Sequence, residues 1–269
     1  MSNIIKRPKI CIPLVAEHLD ALIIEAEKVM AMRPDLIEWR ADYYTSKLDR
    51  DKLGILEVIS IVLNALNQLH QLLSEANIPI LFTLRSLDEG GFCGYDKNMR
   101  LEIMQAAIKT GQISWVDIEL DISNEQDLDF EKREVIDRFQ QTIDLAHTNT
   151  VSVILSNHDF NKTPQFAEIV ANIKRVQRWN VDYVKLAYLC ETGEDVMALL
   201  SACQYGRGVL NQKMIVITMG EVGKIGRVTA GEFGSEIVYA VGLSPTAPGQ
   251  LTVAEYLSAW DSALTDGVE

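Results

Sequence analysis

The chain has 269 residues, 48% of them hydrophobic, and a formal net charge of −13. That length can bury one large core, and the negative balance disfavours nucleic acid and anionic membrane surfaces as partners. No long uncharged apolar run marks a membrane span, and the opening MSNIIKRPKI has neither an apolar signal core nor an amphipathic Arg/Ser-rich character. The cysteines (Cys11, Cys93, Cys190, Cys203) are scattered without a CxxC pair, which points to thiols in a reducing cytoplasm and away from a disulfide framework or zinc site.

Short β-branched runs alternate with segments of helical period. PKICIPLVA (8–16) reads as the first strand and is followed by the helical HLDALIIEAEKVMAM. DLIEWRAD (35–42) is the second: Ile37, Trp39 and Ala41 form an apolar face, and Glu38, Arg40 and Asp42 a charged one. The long helical stretch LGILEVISIVLNALNQLHQLLSEAN follows, with Leu53, Leu56, Ile59, Leu63, Leu66 and Leu73 expected as one buried stripe. Further strands are PILFTLRS (79–86), WVDIEL (115–120), TVSVILSNHD (150–159), DYVKLAYL (182–189), KMIVITMG (213–220) and EIVYAVGL (236–243), and the helix TVAEYLSAWDSALTDG closes the chain. About eight strands alternating with about as many helices predict an α/β fold, a (β/α)8 TIM barrel spanning 1–269 as a single domain. A doubly wound sheet is the fallback.

A barrel gives the polar faces a destination. Apolar alternates pack on the helix ring, so Glu38, Arg40, Asp42, Asp117, Glu119, Ser152, Ser156 and His158 point inward, and Thr83 shares a face with Arg85. The polar members gather toward strand C-terminal ends, the rim where barrel enzymes build their sites. Lys185 stands mid-strand among apolar residues. In an ordinary strand it would be salt-bridged or snorkelling; inside a barrel, burial and the cations Arg40 and Arg85 are expected to destabilise its ammonium and favour a nucleophilic amine able to form a Schiff base. His158 lies one strand earlier on the inward face, whereas His18, His70 and His147 fall on helical segments and read as structural. Glu89 in SLDEGG, taken alone, is an exposed loop acid; as a functional group it would orient His158, with Gly90 and Gly91 marking a mobile flap. Arg40, Arg85, Lys185 and Arg227 together suit an anionic, hydroxylated small molecule. Alone, Arg227 reads as a surface residue and TAPGQ (246–250) as a loop.

In order along the chain, DLIEWRADYY, LFTLRSLDEGG, WVDIEL, SNHDF, YVKLAYL, IGRVTAGEFGS and SPTAPGQLTV resemble the type I 3-dehydroquinate dehydratases, the class I Schiff-base enzymes of the shikimate pathway. The resemblance runs from about Lys9 to the last helix. It implies a (β/α)8 barrel, a homodimer, no metal or coenzyme, and dehydration of 3-dehydroquinate to 3-dehydroshikimate. It implies further that Lys185 is the Schiff-base lysine, His158 the general acid/base and Glu89 its assisting acid. By the same resemblance Glu38, Arg40 and Arg85 hold ring hydroxyls, Arg227, Thr246 and Gln250 hold the carboxylate, and Asp117 is an acid near the histidine. Thr246 stands where many members have Ser, and Pro13 where some have a substrate-touching Ser. The segment LDISNEQDLDFEKREVID is longer than in compact members and reads as a surface elaboration.

Three other functions compete. A metal-dependent barrel lyase would use Glu38, Asp42, Asp117 and Glu119 as oxygen ligands, against which stand the interleaved arginines and the buried lysine. A class I aldolase would share the strand lysine. A binding protein on a retired barrel is disfavoured because every matched catalytic position is occupied.

Overall fold

Period-two alternation of apolar residues produces eight strands, β1 (Lys9–Leu14), β2 (Leu36–Arg40), β3 (Ile80–Thr83), β4 (Trp115–Glu119), β5 (Ser152–Asp159), β6 (Tyr183–Leu189), β7 (Lys213–Met219) and β8 (Ile237–Tyr239). The computed structural model describes residues 6–49, 51–120 and 130–266. Its strands form one parallel sheet in the order β7-β6-β5-β4-β3-β2-β1-β8. The remaining seam is drawn together by a parallel bridge between Met214 and Ser235 and by Glu236 N donating to Met214 O at 2.8 Å, so the sheet curls into a nearly closed (β/α)8 barrel.

The ring of helices is α1 (Leu19–Met30), α2 (Ala41–Thr45), α3 (Ile55–Glu75), α4 (Lys97–Lys109), α5 (Phe130–Thr148), α6 (Phe166–Val176), α7 (Gly193–Val209), α8 (Lys224–Thr229) and α9 (Val253–Asp266). Local chemistry starts several of them. Asp96 accepts from Met99 N at α4, and at α7 Thr192 and Asp195 satisfy each other's backbone N–H in a capping box. The elaboration expected over 120–137 lies in part outside the described residues, since 121–129 are not among them; its last part is the start of α5.

Several expectations are corrected here. The buried stripe of α3 is Val58, Val62, Ala65, Leu66, Leu69 and Leu73, while Leu56 is 74% exposed and Leu53, Ile59 and Leu63 are only partly buried. Leu56 is two residues from Val58, about 200° around a helix of 3.6 residues per turn, so both cannot face the sheet. Truncating a residue of the true stripe, such as Leu66, costs about 2–5 kcal/mol. Ala41 and Asp42 are not strand residues: the chain turns into α2 directly after Arg40. Leu84–Ser86 and Val241–Leu243 also lie past the ends of β3 and β8.

Inside the barrel, polarity changes along each strand. Leu36, Leu81, Ile154, Tyr183, Ile215 and Ile237 form an apolar inner core. Two residues further along the inward faces of β2, β3, β5 and β6 stand Glu38, Thr83, Ser156 and Lys185, all buried. An apolar plug therefore supports a charged layer just beneath the C-terminal rim.

Candidate active site

β2 and the loop that follows β3 each deliver an arginine to that layer. Arg40 donates from Nε and Nη2 to the two oxygens of Asp42, both at 2.8 Å, and its guanidinium lies over the Tyr43 ring at 5.1 Å. Arg85 donates to Asp117 Oδ1 at 2.8 Å, Glu119 Oε1 at 3.2 Å and Ser156 Oγ at 2.9 Å. Burial works against both guanidinium charges, yet the carboxylates outweigh it and leave Arg40 and Arg85 more firmly protonated than usual. Reciprocally, Asp117 stays below its ordinary range despite burial, through Arg85 and Lys185, and Glu119 does so through Arg85 and Arg100. Arg100 of α4 pins the second Glu119 oxygen.

Lys185 extends into this network from β6. Its Nζ lies 3.0 Å from Asp117 Oδ2, 3.7 Å from Glu38 Oε1, and 4.4 Å from the centre of the Tyr239 ring. Glu38 is itself held by Thr83 Oγ1, which donates at 2.8 Å. The expectation that bare cations would crowd the ammonium is overturned. The arginines are neutralised by carboxylates of their own, and the lysine's charged neighbours within 4 Å are acids. Asp117 bridges Lys185 and Arg85. Asp42 clamps Arg40 from α2 instead of projecting from the barrel wall. Each of the four carboxylates considered as oxygen ligands is tied to a cation.

His158, its side chain 8% exposed, ends β5 beside β6, where it pairs with Ala187. Its Nδ1 lies 2.8 Å from Glu89 Oε2, and its ring stacks on Phe160 with 6.4 Å between centroids. Burial, reinforced by Arg85, Lys185 and Arg40, pushes the imidazole well below the ordinary histidine range. A neutral ring donating from Nδ1 to a carboxylate leaves Nε2 with a lone pair. Glu89 is not an exposed loop acid: it is 5% exposed, with Arg85 Nη1 at 3.5 Å. Gly90 and Gly91, expected to mark a mobile flap, both sit at close approaches. A side chain at Gly90 would collide with Phe160, and one at Gly91 with the Arg85 backbone.

Arg227 reaches the pocket from α8 and differs from the other cations. It is buried, donates from Nη2 to Pro248 O at 2.9 Å, and its Nε has no hydrogen-bond partner. With no carboxylate against it among the described residues, burial pushes its pKa down to about 10. Beside it, Gln250 Oε1 accepts from Thr246 N at 2.6 Å while Gln250 Nε2 donates to Thr246 Oγ1 at 3.1 Å, so the two residues knot the loop over the mouth.

One pocket is lined by nine of the residues singled out from the sequence: Glu38, Arg40, Arg85, Glu89, His158, Lys185, Arg227, Thr246 and Gln250. Sequence reasoning missed Tyr239, whose ring underlies Lys185, and Arg100. Both left a signal: Tyr239 alternates with inward Ile237, and Arg100 sits one turn before Ile103 and Met104 on the buried face of α4.

Comparison with known proteins adds four findings. Residues 10–264 match the family model described as Type I 3-dehydroquinase. The chain is 34% identical over 248 residues to a 3-dehydroquinate dehydratase of Listeria monocytogenes, covering 92% of this chain and 89% of that protein. Among solved structures, a 3-dehydroquinate dehydratase of Geobacillus kaustophilus superimposes with a TM-score of 0.82 at 30% identity, covering 96% of this chain and 92% of that one. A type I 3-dehydroquinate dehydratase of Clostridium difficile, solved with covalently modified comenic acid, gives 0.79 at 30% identity, covering 97% and 93%.

Proposed function

The chain belongs to the type I 3-dehydroquinase family and is a hydro-lyase, and from that premise we propose that it removes water from 3-dehydroquinate through a Schiff base on Lys185, giving 3-dehydroshikimate. The observation that carries the reading is the meeting of a buried lysine and a buried, Glu89-bound histidine on adjacent strands in one pocket. The covalently modified comenic acid with which the Clostridium difficile structure was solved supports a covalent route.

The chemistry follows from the charges. The Lys185 ammonium passes one proton to Glu38, the amine adds to the C3 ketone, and that proton returns to the carbinolamine hydroxyl, which leaves as water and gives a protonated imine, a cation at the position where Asp117 and Glu38 supply negative charge. The iminium is the electron sink. His158, neutral with its lone pair on Nε2, removes the C2 proton, and electrons flow into the iminium to give an enamine. The enamine expels the C1 hydroxyl, which leaves with a proton from the imidazolium, and hydrolysis of the new iminium frees Lys185 and product. Asp117 is a poor proton acceptor because Arg85 and Lys185 stabilise its ionised form, so the C2 proton falls to His158. Glu89 holds the ring from Nδ1. Glu38, Arg40 and Arg85 face the ring hydroxyls, and Arg227 with Thr246 and Gln250 receives the carboxylate: an unneutralised buried guanidinium is stabilised by an incoming anion.

The same reading takes 1–269 as one catalytic domain, a homodimer in the cytoplasm working without metal or coenzyme. The four cysteines, all free and buried, suit a reducing compartment. Incubation with 3-dehydroquinate after exhaustive EDTA treatment should produce the enone absorbance of the product in the ultraviolet. No absorbance, or absorbance only on adding a divalent metal, would overturn the reading. Sedimentation equilibrium decides the dimer.

A further inference from the structure

On the face of β5 turned away from His158, a chain of polar contacts ends on Glu89. Tyr188 OH donates to Asn157 Oδ1 at 2.7 Å, and Asn172 Nδ2 of α6 donates to the same oxygen at 3.2 Å. Asn172 is in turn steadied by Arg175, whose Nη1 lies 3.5 Å from its Oδ1. With its oxygen committed to two donors, the Asn157 amide can present only its nitrogen to Glu89, and Nδ2 lies 3.5 Å from Glu89 Oε1. The other carboxylate oxygen meets His158 Nδ1. Glu89 is thus gripped from both faces of one strand end. Tyr188 is fully buried, and burial raises its pKa far enough that the phenol remains a donor through the working range.

We propose that Asn157, held by Tyr188 and Asn172, is a positioning residue for the acid/base pair: it orients Glu89 as a double acceptor and thereby fixes the proton of His158 on Nδ1. The inference rests on reading His158 and Glu89 as that pair. A carboxylate whose two oxygens both receive N–H groups stays ionised, and an ionised acceptor at Nδ1 leaves the Nε2 lone pair free for substrate.

The charged groups around the pair set the expected pH response. Arg85 from just past β3, Lys185 from β6 and Arg40 from β2 face His158, and all three disfavour the imidazolium. Asp117 and Glu119 of β4 face Arg85, and on the outer side Asp159 and Arg175 face Tyr188. A new carboxylate at position 157 would favour imidazolium, so His158 would take up its proton at higher pH and the acid limb of kcat/KM would move upward.

The test is kcat/KM for 3-dehydroquinate against pH in the wild type, Asn157→Asp and Tyr188→Phe, beside nitrogen-15 NMR of the histidines in the ligand-free proteins. The wild type should show His158 protonated on Nδ1. In Asn157→Asp, the acid limb and the His158 titration should both rise by about one pH unit. Tyr188→Phe, which touches neither Glu89 nor the pocket, should shift both in the same direction by less. Unchanged limbs and titrations in the variants, whatever their overall activity, would reduce the network to packing and overturn the proposal. If Asn157→Asp does not fold, Asn157→Ser and Tyr188→Phe carry the same comparison. A wild type that fails to turn over substrate would sink the acid/base reading, while the NMR measurement would still decide the tautomer.

Discussion

Arg85 and Arg227 line one pocket and are equally buried, yet their surroundings differ in kind. Arg85 is wrapped by Asp117, Glu119 and Ser156, whereas Arg227 has the Pro248 carbonyl and an Nε without a partner. Burying a cation is costly unless it is paired, so a neutralised arginine is a finished part of the scaffold and an unneutralised one awaits an anion. The pocket is accordingly two-sided. In the proposed reading, the β2–β6 side is an electrically balanced network that holds Lys185 and His158, and the α8 side is an anchor that the substrate carboxylate completes.

The largest effect that distinguishes the sides is on turnover. Lys185→Ala removes the electron sink and should reduce dehydration to background while the fold survives, as circular dichroism would check. His158→Ala should lose about 10²–10⁴-fold in kcat or more, since general acid/base catalysis alone supplies that range and this ring serves several steps. On the anchor side, Arg227→Ala should lower kcat/KM by about 10–150-fold, the value of charged hydrogen bonds to a carboxylate, with most of the loss in KM. A larger loss in kcat than in KM would break the division of labour.

Stability should separate the two arginines in the opposite sense. Arg85→Met takes one of two cations from each of Asp117 and Glu119, leaving Lys185 and Arg100, and should cost about 3 kcal/mol in denaturant unfolding of the ligand-free protein. Arg227→Met removes an unpaired buried cation and should cost far less, or stabilise. Equal losses would mean that Arg227 is as neutralised as Arg85. The smallest effect is on pH dependence. Burial lowers the Arg227 pKa to about 10, so its charge is lost as pH rises through that value, and KM should climb there while Arg85 remains charged. At the other extreme, the depressed His158 pKa should keep the acid limb of kcat/KM below the ordinary histidine range.

How much of this was legible follows from what alternation can encode. A period of two in a strand tells which side chains share a face, and once the faces belong to a barrel it assigns Glu38, Lys185 and His158 to the interior. Alternation says nothing about which inward residues meet, because that depends on the stagger between strands. Hence Lys185 was expected among cations and is found between Asp117 and Glu38. Asp42 was assigned to the strand because its parity fitted, although the Arg40 clamp is made from the first turn of α2. On α3, a stripe chosen by leucine identity failed at Leu56, and counting every apolar residue, Val58 and Val62 included, would have found the buried face. The chemistry of the substrate came from family resemblance, since the residues alone left a metal lyase and an aldolase open.

The central claim is a covalent bond between Lys185 and the substrate ketone, formed on the balanced side of the pocket. Incubating His158→Ala with 3-dehydroquinate and borohydride tests it most directly, because the variant can still form an imine that it cannot process. Peptide mass spectrometry should find one reduced ligand on Lys185, and none when Lys185→Ala is treated in the same way. A label on another lysine, or no label in a variant that still binds the substrate, would contradict the account.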